Sequence, residues 1–267
     1  MNNRTAQDLR GTERSSASTI GTFEWTRRTG GHLEPGQRRG MVVDLARVHV
    51  GNAIGRLSLM ARVNRGRKAY VPAGRLLPPD SALTRAALEA GNRVLPATLL
   101  NHSFRTYLFG RTLGELDNVD VDTELLYAAA LLHDVGLVAA GGRDDFTLTS
   151  ARVAADVAEQ VGLSTAATET LQTAITMHHS PRVPREAGPV AYLLAAGAGV
   201  DVVGLRSWDL PPAVFESVVR QYPRVGFKTY FSSAWAREAA RVPQGRAMLL
   251  RRYGAFATAI ALAPFDE

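Results

Sequence analysis

From residue 82 onward apolar positions recur every three or four residues in run after run, separated by short segments rich in Gly, Pro, Ser and Asp. No run sustains a period-two alternation between hairpin turns, so the pattern predicts helices and no sheet. Asp80 or Ser81 caps a helix reaching about Arg93, and Pro96 sits in the first turn of one over 97–109. Asp122 or Thr123 caps 124–135, which should end at Gly136. Thr149 or Ser150 starts 151–161, ended by Gly162, and Ser164 caps a helix reaching His179, stopped by Ser180 and Pro181. Further helices are expected over 187–203, 211–221, 228–240 and 244–259. Ahead of these, helical spacing first shows over 41–63, with Gly51 and Gly55 weakening the middle, and 64–80 is a loop marked by Gly66, Pro72, Gly74 and Pro78-Pro79. Residues 1–40 have little apolar periodicity and read as a flexible arm. The expected organisation is an arm over 1–40, an N-terminal helix and loop over 41–75, and one all-α domain over 76–260, with no internal repeat at solenoid periods.

Composition narrows the function classes. Hydrophobic residues make up 46% of the 267, ordinary for a globular domain, and no run of eighteen or more is free of charge and breakers as a membrane span requires. The first residues, MNNRTAQDLR, contain no apolar core of a secretory signal. The chain has no cysteine, which excludes disulfides, thiolate metal sites and a cysteine nucleophile, and fits a cytoplasmic location. Residues 1–75 hold fourteen Lys and Arg against five Asp and Glu, a local charge of +9 within a net +6. Only Lys68 and Lys228 are lysines, and the arginines are scattered, so the charge reads as an arginine bias; nucleic acid is not expected as a partner.

The polar residues inside the apolar helices carry the chemistry. His102 lies in NHSFRTYLFG, His133 and Asp134 in LLHDVG, and Asp201 is one acid in LLAAGAGVDVVGL with no basic residue within four positions. A lone core histidine is usually a satisfied structural residue, but an unpaired buried carboxylate costs several kcal/mol and must be partnered or coordinated. Neighbouring helical residues point about 100° apart, so His133 and Asp134 can meet one object only near a helix end. Two imidazoles and two carboxylates suit a divalent metal: zinc, or manganese or iron in a wetter site.

This H…HD…D pattern in an all-helical chain resembles the HD superfamily of metal-dependent hydrolases, and the flanking phrases resemble its cyanamide hydratase-like branch. The similarity runs over PDSALTRAALEAGNRVLPATLLNHSFRTYLFG, LLYAAALLHDVGL, VAYLLAAGAGVDVVGLR and VVRQYPRVGFKTYF, roughly residues 75–235. It implies an HD-type helical bundle, His102, His133, Asp134 and Asp201 as metal ligands, and zinc as the metal. Leu137 stands where the cyanamide hydratases often carry a threonine, so a cyanamide-like nitrile and another small nitrile, amide or similar electrophile both stay open as substrate.

On this reading metal-activated water attacks an electrophilic carbon, and Asp134 takes or relays the proton. His178 is expected as proton donor to the developing nitrogen anion, its pKa raised by a helix C-terminus. His179 and Arg105 are candidates for substrate binding, although Arg105 also reads as a structural partner for a carboxylate. Asn101 is placed to orient a ligand, and Lys228 reads as a surface lysine. A phosphohydrolase would use the same ligands but needs several Lys or Arg near them. A di-iron oxygenase needs two further histidines, and the adjacent His178 and His179 cannot easily face one ion. A non-catalytic binding module is the remaining reading, and homo-oligomerisation is open.

Overall fold

The computed structural model describes residues 19–265, and every regular element among them is helical. Within the segment read as a flexible arm, residues 19–40 are structured: α1 (Phe23–Thr29) is capped by Thr22, whose hydroxyl accepts from Trp25 N, and ends at Gly30 with φ 64°. Its signal was hidden because a helix of two turns buries little, yet Trp25 is fully buried and Leu33 nearly so. Residues 1–18 of that expected arm lie outside the described residues. A long helix, α2 (Pro35–Met60), starts six residues earlier than its apolar spacing predicts, with Pro35 in the first turn and a capping box between Glu34 and Gln37. Gly55, expected to weaken it, is where Trp208 packs: a Cβ there would lie 2.2 Å from the indole.

The core is built around α3 (Ala82–Val94), α4 (Ala97–Asp117), α5 (Thr123–Leu132), α6 (Val135–Ala139), α7 (Phe146–Gln160), α8 (Thr165–Met177) and α9 (Pro189–Val203). Residues 125–132 of α5 are buried on every side, as a helix apolar all round should be. The most extensive packing is α9 along α4, and two glycines permit it. A Cβ on Gly110 would sit 2.6 Å from the Leu193 carbonyl oxygen, and one on Gly197 2.1 Å from that of Thr106. This close crossing sets Asp201, one turn beyond Gly197, against Arg105, next to Thr106, and His102, one turn before it.

The predicted single helix over 124–135 breaks at the His133-Asp134 doublet itself. His133 caps the end of α5, and Asp134, at φ −106° and ψ 6°, opens α6. Gly136 is therefore no helix terminator. It lies inside α6 where α7 crosses, because a Cβ would come within 1.9 Å of the Phe146 carbonyl oxygen. The expected start of α7 at Thr149 or Ser150 moves back to an Asp145 cap, whose carboxylate accepts from Thr147 N. The C-terminal part is α10 (Pro212–Gln221), α11 (Phe227–Arg241), α12 (Arg246–Tyr253) and α13 (Phe256–Ala261); the last two split the expected 244–259 helix. No helix among the described residues is long and apolar enough to cross a membrane.

Candidate metal centre

The break between α5 and α6 turns two neighbouring side chains toward one point. His133 Nε2 lies 3.3 Å from Asp134 Oδ2. From α4, His102 brings its Nε2 to 3.4 Å from the same oxygen and 3.2 Å from His133 Nε2. One donor atom from each of the three lies within 4.8 Å of the others, and all three residues are buried. From the end of α8, His178 points its Nε2 at the other carboxylate oxygen, 3.6 Å away.

The outer nitrogens fix the tautomers. His102 Nδ1 is 2.7 Å from Asp201 Oδ2, His133 Nδ1 is 2.7 Å from Ala130 O, and His178 Nδ1 is 2.7 Å from Ile175 O. Ionised carboxylate and carbonyl oxygens only accept, so each Nδ1 donates, and each neutral ring keeps its lone pair on Nε2. Three lone pairs and a carboxylate thus face one another, and neither oxygen of Asp134 accepts a hydrogen bond. Buried in this way, such a set is repulsive until a cation or a proton stands between the atoms. The donor set therefore fits a divalent ion.

Without the ion, protons do part of this work. Burial lowers the pKa of His102, but the carboxylates of Asp134 and Asp201 raise it above its ordinary value. Burial raises that of Asp134, and His133 and His102 pull it well below the usual carboxylate range. For His178, burial and then His133 drive the pKa well below 6.5. The expectation that a helix C-terminus would favour its imidazolium is overturned: the ring caps the Ile175 carbonyl through Nδ1 and stays neutral.

Asp201, expected as the fourth ligand, stands one residue further out. Its Oδ2 accepts from His102 Nδ1 and from Arg105 Nη2 (2.9 Å), while Oδ1 accepts from Arg105 Nε (2.8 Å) and from Arg224 Nη1. Both oxygens are used, so the carboxylate orients the histidine and raises its basicity. Its missing partner in the sequence is supplied by two arginines, one from α4 and one from the loop before α11. Arg105, expected to bind substrate, is fully buried and directs further donors to the carbonyls of Tyr222 and Pro223. Asn101 also bonds Pro223 O, and Lys228 bonds the carbonyls of Ala261 and Phe265.

The adjacent histidines part company. His178 faces Asp134, whereas His179 Nε2 lies 3.4 Å from Asp145 Oδ2 and its ring stacks on Phe146. Asp145 also takes Arg246 Nη2 at 3.1 Å and the Thr147 hydroxyl at 2.7 Å. Burial favours the neutral acid, but Arg246 outweighs it and holds Asp145 below the usual carboxylate range. Sequence reasoning missed Asp145, Arg224 and Arg246. Only Asp145 had a local signal, an acid two residues before a helical threonine.

Residues 99–199 match the family model of the HD domain. The span includes His102, His133, Asp134, His178 and His179 and stops two residues before Asp201. The match supports the HD-domain superfamily, whose members are mostly metal-dependent hydrolases. No curated protein matches the chain.

Proposed function

With an HD domain over residues 99–199 as its premise, we propose that the protein is a metal-dependent hydratase or hydrolase that adds water to a neutral electrophile such as a nitrile or amide. One observation carries this reading. Asp134 is a buried carboxylate with no hydrogen-bond partner among the described residues, and three imidazole Nε2 atoms face it at 3.3 to 3.6 Å. His102 Nε2, His133 Nε2 and Asp134 would hold the ion. Two nitrogens and one oxygen suit zinc with a coordination position left open, with manganese or iron as alternatives. When bound, such an ion supplies Lewis acidity and lowers the pKa of water from 15.7 to about 7 in favourable sites.

The residues divide the remaining work. Asp201 fixes the tautomer of His102, and the Ala130 carbonyl fixes that of His133. Asp134 Oδ1, turned from His102 and His133 toward His178, accepts the proton of the attacking water, and neutral His178 at 3.6 Å relays it. In nitrile hydration the water oxygen bonds to carbon as one C–N π bond breaks and a proton travels to nitrogen, and the imidic acid so formed moves its O–H proton to nitrogen to become the amide. His178 returns the first proton, since a depressed pKa makes its imidazolium a strong acid. Cytoplasmic residence and the cyanamide hydratase-like branch belong to this same proposal.

The phosphohydrolase reading needs cations at the metal. Arg105 and Arg224 lie behind Asp201 with their charge committed to it, which weighs against a phosphate ester. The di-iron reading loses support from the divergence of His178 and His179. The test is metal analysis of the purified chain, followed by turnover of nitriles, amides and p-nitrophenyl phosphate by wild type and His133→Ala. About one divalent ion per chain is expected, with metal and turnover both lost in the variant. Full turnover from a metal-free variant sinks the proposal, and activity confined to the phosphate ester reverses the ranking.

A further inference from the structure

The three metal-facing residues form one patch of wall in a chamber of about 370 Å³. Most of the remaining wall is apolar: Val48 from α2, Ala195, Ala198 and Val202 from α9, and Phe231 and Trp235 from α11. Two of the polar side chains in the lining are engaged elsewhere, whereas Asn52 Oδ1 is buried with no hydrogen-bond partner. The Tyr192 hydroxyl donates to Asp117, and Arg206 pairs with Asp117 and Asp209. Solvent-exposed lining residues are His49, Gly51 and Arg182, which places the mouth between α2 and the loop after α8.

The size of this space conflicts with a substrate as small as cyanamide. A water molecule takes about 30 Å³ of liquid, so a three-atom substrate would leave room for roughly ten waters against apolar walls. Chambers above about 300 Å³ with a few convergent polar groups are those that bury drug-sized ligands. We infer that the substrate of the proposed reaction carries an uncharged alkyl or aryl body that fills this chamber, its electrophilic carbon at the His102–His133–Asp134 end. The inference rests on the water-adding reading of the same site and names its substrate class. The small residues of α9 decide how much body fits, because Ala195, Ala196, Ala198 and Gly199 leave the space that larger side chains would fill.

The probe is a series of straight-chain primary carboxamides from acetamide to octanamide, the products expected of nitrile hydration. Binding to the zinc-loaded full chain is measured by calorimetry, with no turnover required. Each buried methylene should tighten binding about four-fold until the chamber is full, and the gain should then level off. Ala195→Phe on α9 and Val48→Phe on α2 narrow the chamber from two sides without touching the metal ligands. In each, the gain should stop at a shorter chain while zinc content stays at the wild-type value. Two variants guard against one failing to fold. Affinity that is flat with chain length, or no binding at any length, overturns the inference. If chain-length dependence is seen but no nitrile or amide is turned over, the water-adding reading fails and the apolar substrate class stands. If acetonitrile is turned over while the binding series is flat, the water-adding reading stands and the apolar substrate class fails.

Discussion

Two buried histidine–aspartate centres lie on either side of one dipeptide, and they differ in where their positive charge comes from. On the His179 side, Asp145 has Arg246, the Thr147 hydroxyl and the Thr147 amide, so the chain supplies its own cation and both carboxylate oxygens accept a hydrogen bond. On the His178 side, Asp134 has imidazoles alone and no hydrogen-bond donor. Asp201 repeats the first pattern with Arg105 and Arg224. A buried carboxylate matched to a fixed guanidinium is closed and structural. One surrounded by aimed lone pairs is open to a cation that the chain does not encode.

The largest effect should come from removing the open charge. Asp134→Asn keeps the shape of the side chain but takes away a ligand and the proton acceptor. Turnover is expected to fall at least about a thousand-fold, with metal content near zero. In the chelator-treated protein the same change should cost clearly less stability than a change at a closed centre, because Asp134 faces only imidazoles that a proton must charge and no fixed guanidinium. Denaturant titration of the two chelated proteins checks this. A loss as large as that expected below for Asp201 would mean that Asp134 is structural after all, and the comparison would break.

A larger loss is expected at the closed centres. Asp201→Asn leaves Arg105 and Arg224 buried beside a neutral amide, and breaking a buried pair from one side costs about 3–5 kcal/mol. That loss should come with weaker metal affinity, by about 10- to 100-fold, because His102 loses the group that orients it. With saturating metal the loss should be larger by about 1.4–2.7 kcal/mol, the free-energy equivalent of the weaker binding. If Asp201→Asn abolishes metal binding without costing chelated stability, Asp201 is a direct ligand, as the H…HD…D pattern implies.

These centres also show how far the sequence could be read. The apolar spacing gives the helices from α3 onward, and the oddity of an acid in a hydrophobic stretch singles out Asp134 and Asp201. What it cannot give is which partner each acid meets. Arg224 is 23 residues from Asp201, and Arg246 is 101 from Asp145, so neither pair leaves a periodic trace. The α4–α9 crossing that brings Asp201 to His102 depends on Gly110 and Gly197, whose meaning appears only once backbones approach. The ordered α1 escaped for a related reason: one buried tryptophan in a seven-residue helix carries no period.

The smallest effect, and the one that compares the centres inside a single molecule, is their protonation. In the metal-free protein His102 has a raised pKa, so the stability it contributes is complete below its ordinary 6.5 and is lost as pH rises through the folded value. His178 and His179 have lowered values, the first from burial and His133, the second from burial and Arg246. Their contribution has the opposite sign: complete above 6.5 and lost as pH falls toward their folded values. Each pKa unit is worth about 1.4 kcal/mol, and two groups oppose one. Chelated protein should therefore lose stability on acidification below about pH 6.5. Histidine-resolved nitrogen NMR separates the contributions. At pH 6.5 His102 should be imidazolium in the chelated protein and neutral once zinc is added, with protons released to the buffer, whereas His178 and His179 should be neutral in both. An imidazolium at His178 in the chelated protein would mean that this ring, too, supplies Asp134 with a proton, and the open centre would then be better matched than its lone pairs indicate.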